Sequence, residues 1–312
     1  VTPTGFVDAG DGTRIAVYEE GNPVGPTVVL VHGWPDSNVV WDAVVALLAE
    51  NHRIVRYDNR GAGASSVPDS VSAYALERLA DDFDAVVAAL APGAPVHVVG
   101  HDWGAATMWE FLSRPTAPER VASYTSISGP DPQHLSRFIR DGLAQPYRPR
   151  RFARALSQAA HFSYMIAFSV PVLAPVVMRA FGARAINRWF IAPGIPPQRR
   201  HKADTFVADA AHGLKIYRAN FFPALTRARR DRYVTVPVQL IVNTEDVFVR
   251  PYVYEDTARW VSRLWRRDIR AGHWSPLSHP DVLATAVAEF IGHLHGAPAS
   301  PALLNARVAG SA

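Results

Sequence analysis

Short apolar runs alternate with amphipathic stretches through most of this chain. Residues 27–31 (Thr-Val-Val-Leu-Val), 53–57 (Arg-Ile-Val-Arg-Tyr), 96–99 (Val-His-Val-Val), 121–126, 238–242 and 265–269 have the length and β-branched content of buried strands. Residues 6–19 alternate around Asp11-Gly12 and predict a β-hairpin. Helical patterns fall between the runs: from Asp36 or Ser37 to Glu50, from Ser72 to Leu90, near residues 252–261, and from Asp281 to Leu294. Strands alternating with helices at this spacing imply an α/β fold, a mostly parallel sheet with helices on both faces.

The alternation stops between about residues 131 and 233, where the pattern is helical, rich in arginine and interrupted by prolines. An inserted helical cap over the C-terminal edge of the sheet is the expected arrangement, because ligands bind at that edge in open α/β sheets. The predicted division is therefore a core of residues 1–130 and 234–295, a cap of residues 131–233, and a linker-like tail of residues 296–312 opening on Ala-Pro-Ala-Ser-Pro. Gly61-Ala62-Gly63 lacks a following Lys-Ser/Thr and reads as a turn, not a phosphate loop.

With 312 residues, 48% of them hydrophobic, the chain can bury a large core. It has no cysteine, which excludes disulfides and thiolate metal sites. The net charge of +4 comes almost wholly from arginine, Lys202 and Lys215 being the only lysines, and no interleaved aromatic and basic motif points to nucleic acid. The start of the sequence shows no basic stretch followed by an apolar segment, so a cytoplasmic location is expected. Residues 162–177 are apolar but short for a span and broken by Pro171 and Pro175. They are expected to form cap core and pocket wall. The arginines of 148–154, 199–200 and 227–232 leave contact with a membrane surface as the alternative.

The chemistry centres on Gly100-His101-Asp102-Trp103-Gly104, which follows the run at 96–99. Two glycines flanking an exposed residue suit a strand that turns sharply into a helix, and here the exposed residue is an aspartate where serine is usual. A carboxylate attacking an sp³ carbon forms an ester that water can cleave at the aspartate's own carbonyl carbon; serine would form an inert ether. An epoxide or an alkyl halide is the implied electrophile. Asp246, after the run at 238–242, and His273, after the run at 265–269, supply an orienting acid and a base on the same sheet edge, with Glu245 the rival to Asp246. The backbone N–H groups of Trp34, in His32-Gly33-Trp34-Pro35, and Trp103 are the candidate oxyanion donors.

These motifs, together with Asp-Asn-Arg-Gly-Ala-Gly-Ala-Ser at 58–65 and Gly-His-Trp at 272–274, resemble the epoxide hydrolases of the α/β-hydrolase fold, over about residues 5 to 295. The resemblance implies two cap tyrosines donating to the epoxide oxygen. Phe162-Ser-Tyr164-Met-Ile-Ala-Phe168-Ser-Val-Pro171 matches the context of the first, and Tyr217-Arg-Ala-Asn220 that of the second. It also implies a cis Trp34–Pro35 bond, a pocket wall including Phe162, Phe168, Phe221 and Trp274, and no metal or cofactor. The whole chain resembles the hydrolase half of bacterial proteins that fuse an epoxide hydrolase to a short-chain dehydrogenase, so a dehydrogenase domain in a longer natural chain is an implied partner; self-association is left open. Met165 stands where glutamine is common, and Asn243 where glycine is common before the acid. The apolar cap implies an apolar, lipid-derived epoxide. The rival readings are a haloalkane dehalogenase, which shares the aspartate, and a non-catalytic binding protein on the same scaffold.

Overall fold

The computed structural model describes residues 2–200, 202–226 and 232–309. In chain order the strands are β1 (Gly5–Asp8), β2 (Arg14–Gly21), β3 (Thr27–Val31), β4 (Arg53–Tyr57), β5 (Val96–His101), β6 (Val121–Ile127), β7 (Val238–Asn243) and β8 (Leu264–Ile269). They form one sheet in the order β1-β2-β4-β3-β5-β6-β7-β8. The hairpin β1–β2 is antiparallel and joins β4 antiparallel; all later pairings are parallel.

The period of two in each strand decides what each face buries. On β3, Val29 and Val31 face one core with Val98, Leu240 and Val242. Val28 and Leu30 face the other with Ile54, Val99 and Ile241. The first core is covered by α2 (Leu76–Leu90) and α3 (Trp103–Leu112), through side chains such as Phe83, Val86, Met108 and Trp109. The second is covered by α1 (Asp42–Leu48) and α12 (Pro280–Leu294), through Val44, Leu48, Leu283 and Val287. Short helices α4 (Ala117–Arg120) and α11 (Ser275–Ser278) lead into β6 and α12.

Between β6 and β7 the described residues are helical: α5 (Pro132–Leu143), α6 (Pro149–His161), α7 (Ser163–Phe168), α8 (Leu173–Val177), α9 (Ala183–Ile186) and the long α10 (Phe206–Thr226). Two π-helical turns, Met178–Gly182 and Asn187–Ile191, make α8 and α9 one continuous helical rod. Polar bonds seat this insertion on the sheet. The Trp34 indole donates to the Ala210 carbonyl, the Gly63 N–H to Asp209, and the Leu76 N–H to the Asn220 side chain. The arginine cluster expected at 227–232 lies, apart from Arg232, outside the described residues.

Four expectations are corrected. The helix predicted from residue 36 or 37 becomes α-helical only at Asp42, after a 3₁₀ turn over Asn38–Trp41, because Asp58 binds both the backbone and side-chain N–H of Asn38. The helix predicted near residues 252–261 is instead two 3₁₀ turns, Pro251–Tyr254 and Thr257–Arg259. Residues 162–177 are only partly cap core: Tyr164 and Phe168 pack inward, whereas Ile166, Val172, Leu173 and Val176 are exposed. The tail is not a linker over its described part. Ser300 caps α13 (Pro301–Ala306), Leu303 is buried against Trp265 and Phe290, and Val308 donates its N–H to Leu264 on β8. The apolar i+3 spacing of Leu303 and Ala306 lets six residues seal the sheet edge that β8 would otherwise leave open.

The loop at 58–65 is the turn expected, with its polar groups satisfied internally. Asp58 accepts from Tyr18 and Ala64, and Arg60 pairs with Asp82 and Asp11. Because Leu303 is fully buried, Leu303→Ala should cost about 2–5 kcal/mol in urea denaturation. A loss under about 0.5 kcal/mol, the usual range for surface changes, would show that the tail does not belong to the core.

Candidate active site

Asp102 sits between β5 and α3 with φ 53° and ψ −123°, a left-handed backbone that a non-glycine residue holds only under strain. The turn is crowded on both sides. A Cβ on Gly104 would stand 2.3 Å from the Val31 carbonyl oxygen, and one on Gly100 would stand 2.8 Å from Ala105 Cα. Both flanking glycines are therefore required by close backbone approach, and the aspartate side chain projects at the N-terminus of α3, where the helix dipole favours negative charge.

Two groups meet the Asp102 carboxylate. The Trp34 N–H donates to Oδ1 at 2.8 Å, and His273 Nε2 lies 3.3 Å from Oδ2. On its far side, His273 Nδ1 is 2.8 Å from Asp246 Oδ2. The other Asp246 oxygen accepts from the N–H groups of Phe248 and Val249 at 2.7 and 3.0 Å. Glu245 does not compete: it points outward and pairs with exposed Arg270.

The acid's loop is held from above by α6. Gln158, fully buried, donates to the Phe248 carbonyl and accepts from the Arg250 N–H, bracketing the two amides that bind Asp246. Asn243 fills its position with a buried amide that donates to Ser128, to the His273 carbonyl and to Ser275, tying three loops together. His32 braces the turn that carries Trp34. Its Nδ1 meets the Gly33 carbonyl and its Nε2 the Asn59 N–H, which requires the neutral Nδ1–H tautomer; its pKa is lowered chiefly by burial. The Trp34–Pro35 peptide bond is cis.

Charge is shared unevenly across the site. Burial of the His273 ring opposes its protonation, but Asp246 and Asp102 outweigh burial and push its pKa up to about 10. Burial likewise works against the Asp246 charge, and His273 with the two loop amides overcomes it, so the Asp246 pKa is lowered. His101, whose Nε2 donates to the His273 carbonyl, is held neutral by burial, its pKa pushed down to about 4.

Over the carboxylate stand two phenols from the insertion, Tyr164 on α7 and Tyr217 on α10. Burial first, then neighbouring negative charge, raises the pKa of both well above the usual 10, so both remain proton donors at neutral pH. An aromatic cage locks them. Tyr217 packs edge-on against Trp34 and Trp103, with both centroid distances 5.2 Å, and Tyr164 against Phe168 and Phe248 at 5.2 and 5.6 Å.

Two cavity arms meet at Asp102, Tyr164 and Phe248. One, of about 360 Å³, runs past Trp103, Phe162 and Phe221 along α5; the other, of about 270 Å³, is lined by Trp34, Phe168, Tyr217, His273 and Trp274. All eleven residues singled out in the sequence thus lie in one place. Sequence reasoning missed Phe248, Gln158 and Phe190. Phe248 alone left a signal, two positions after the acid, where its amide can bind that carboxylate. Gln158 and Phe190 come from helices whose register over the site nothing local specifies.

Comparison with known proteins gives the family of the fold. The family model described as alpha/beta hydrolase fold matches residues 26–280, and the chain belongs to that family. It is 57% identical over 306 residues to a Mycobacterium tuberculosis protein named probable oxidoreductase EphD, covering 97% of this chain and 52% of that one. The chain therefore spans about half the length of that relative. It is 25% identical to epoxide hydrolase A of the same organism, across 90% of this chain and 95% of the other. Among solved structures, an epoxide hydrolase from Bacillus megaterium in complex with its diol product superposes with a TM-score of 0.77 at 20% identity, covering 92% of this chain and all of that one.

Because the His273 pKa is raised from 6.5 to about 10, its contribution to stability is complete below pH 6.5 and is lost as pH rises through about 10. Denaturation midpoints of the parent should therefore fall more steeply over that range than those of His273→Gln. Parallel pH profiles would show that the ring is not held charged between the two carboxylates.

Proposed function

We propose that this protein is an epoxide hydrolase that opens an apolar epoxide to a vicinal diol through an alkyl ester on Asp102. The observation that carries the reading is the placement of one carboxylate between a His–Asp pair below and two protonated phenols above. A halide leaving group needs no proton, whereas an alkoxide does, and Tyr164 and Tyr217 are two donors held within an aromatic cage.

In the first step Asp102 Oδ2 attacks an epoxide carbon in line with the breaking C–O bond, while the phenols donate to the ring oxygen. Oδ1, already bound by the Trp34 N–H, becomes the ester carbonyl oxygen. Protonation of the ring oxygen leaves a phenolate. Ester formation removes the Asp102 charge, so Asp246 alone still stabilises the imidazolium, and His273 gives its proton, relayed by water, back to that phenolate. In the second step the neutral His273 Nε2 takes a proton from water as that water attacks Asp102 Cγ. Negative charge develops on Oδ1, where the Trp34 and Trp103 N–H groups oppose it. On collapse the imidazolium gives its proton to the departing diol oxygen, and the Asp102 carboxyl then returns its own proton to His273, which restores the carboxylate. Asp246 keeps the ring oriented throughout.

The two arms on either side of Asp102 support a substrate with apolar substituents on both epoxide carbons, that is, an internal epoxide in a hydrocarbon chain. The names of epoxide hydrolase A and of the Bacillus megaterium enzyme agree with the reaction class. The word oxidoreductase in the EphD name is said of a chain about twice as long, and the present reading concerns the half that matches. A short-chain dehydrogenase domain joined to this one in a longer natural chain is the partner implied by the resemblance.

His273→Gln, incubated with terminal and internal epoxides, should accumulate substrate mass on the peptide carrying Asp102 and release no diol. A folded variant without adduct from any epoxide would refute the mechanism, and halide release from bromoalkanes in its place would establish the dehalogenase. Tyr217→Phe should slow ester formation by about 10²–10³-fold, on the scale of a lost transition-state donor, with ester hydrolysis unchanged in rapid-quench experiments. Equal slowing of both steps would mean that Tyr217 only shapes the site.

A further inference from the structure

We propose that the outward face of the helical insertion docks on an anionic lipid leaflet, and that the second cavity arm opens onto that contact. From residue 142 to residue 203 the sequence has ten arginines and lysines and no aspartate or glutamate, whereas the remainder holds 22 basic and 28 acidic residues. The positive charge of the chain is thus concentrated on the cap. Arg179, Arg184 and Arg188, all exposed on the rod from α8 through α9, form no ion pair with a carboxylate among the described residues. They are available to lipid headgroups, each adding to attraction for an anionic leaflet.

Apolar side chains project from the same rod. Leu173, Val176, Phe181 and Trp189 are exposed, Trp189 at 68%, while Ala174, Met178, Ala183 and Ile191 bury its opposite face. The rod meets the helices before it at a 91° bend, and neither limb is long and apolar enough to cross a bilayer by itself. At the bend Val172 is 77% exposed with φ 62°, a backbone that is costly for a β-branched residue. Strain that holds an apolar side chain out in water has no structural return within the chain, but it has one if the bend is inserted among lipid tails. Arginines interleaved with Trp, Phe and Leu on one helix face form the composition of an interfacial helix.

The cavity favours lipid over protein as the occupant. Phe190 and Val247, 49% and 48% exposed, line the second arm at its mouth. Phe190 packs on Phe248 at 5.4 Å, and Phe248 on His273 at 5.1 Å, so aromatic surface runs without a break from the patch to the base. A protein bound over the patch would lie across that mouth. A bilayer would instead supply apolar ligand to it.

The test is flotation of the whole chain, without substrate, on vesicles of phosphatidylcholine alone and of phosphatidylcholine mixed with phosphatidylglycerol. Because no turnover is measured, its failure is separate from failure of the epoxide reading. The chain should float with the mixed vesicles only, and salt should release it. The variant Arg179→Gln/Arg184→Gln/Arg188→Gln should bind about 100-fold more weakly, at about fivefold per charge. Leu173→Gln/Phe181→Gln/Trp189→Gln should not bind. Both should keep the parent's circular dichroism and its urea denaturation midpoint. If the apolar variant fails to fold, the arginine variant and the salt titration decide alone. No flotation of the parent, or flotation indifferent to salt and to the arginines, overturns the proposal. So does a parent dimer that the apolar variant converts to a monomer while vesicles bind neither.

Discussion

A buried imidazole shared by two carboxylates is the interaction on which the rest of this structure depends. Asp102 and Asp246 come from loops after different strands, and each is costly to bury alone. His273 between them makes the arrangement tolerable, and the surrounding polar groups are spent on holding the three in register. Two amides and a buried glutamine fix Asp246, Asn243 and His101 fix the carbonyl of His273, and the Trp34 amide fixes Asp102. Burial, and after it the same charges, hold the phenol pKa values up, so both phenols are protonated before any substrate arrives.

The insertion has a structural as well as a chemical role. It contributes both phenols, but it also reaches down through Gln158 to the acid's loop and through the Ala210 carbonyl to the Trp34 indole. Core and insertion are therefore coupled at the groups that surround Asp102 and Asp246. Motion of α6 or α10 would alter the Asp246 loop and the turn that carries Trp34.

Strand positions were legible because each strand is a short apolar run in a sheet covered on both faces; Thr27–Val31 and Arg53–Tyr57 match residue for residue. The candidate site residues were legible because the chemistry they would serve restricts their types: an aspartate between two glycines, then an acid and a histidine after later strands. Less local features were not. Residues 252–261 carry an apolar spacing that suits a helix, yet the chain there takes two 3₁₀ turns. The tail reads as a linker from its Ala-Pro-Ala-Ser-Pro opening, but Leu303 had a hydrophobic slot beside Trp265 to fill, and only the folded sheet edge creates that slot.

By itself, then, the sequence determined the sheet, the aspartate at the turn after β5 and the histidine after β8, and the excess of positive charge on the insertion, since all of these are written in residue type and local spacing. The tertiary structure alone decided that Asp246 and not Glu245 faces the histidine, that two phenols from separate helices meet over one carboxylate, and that Phe190 and Phe248 join the surface to the base. Those outcomes depend on the rotation and approach of elements distant in the chain. Packing sets such distances, and no window of sequence contains them.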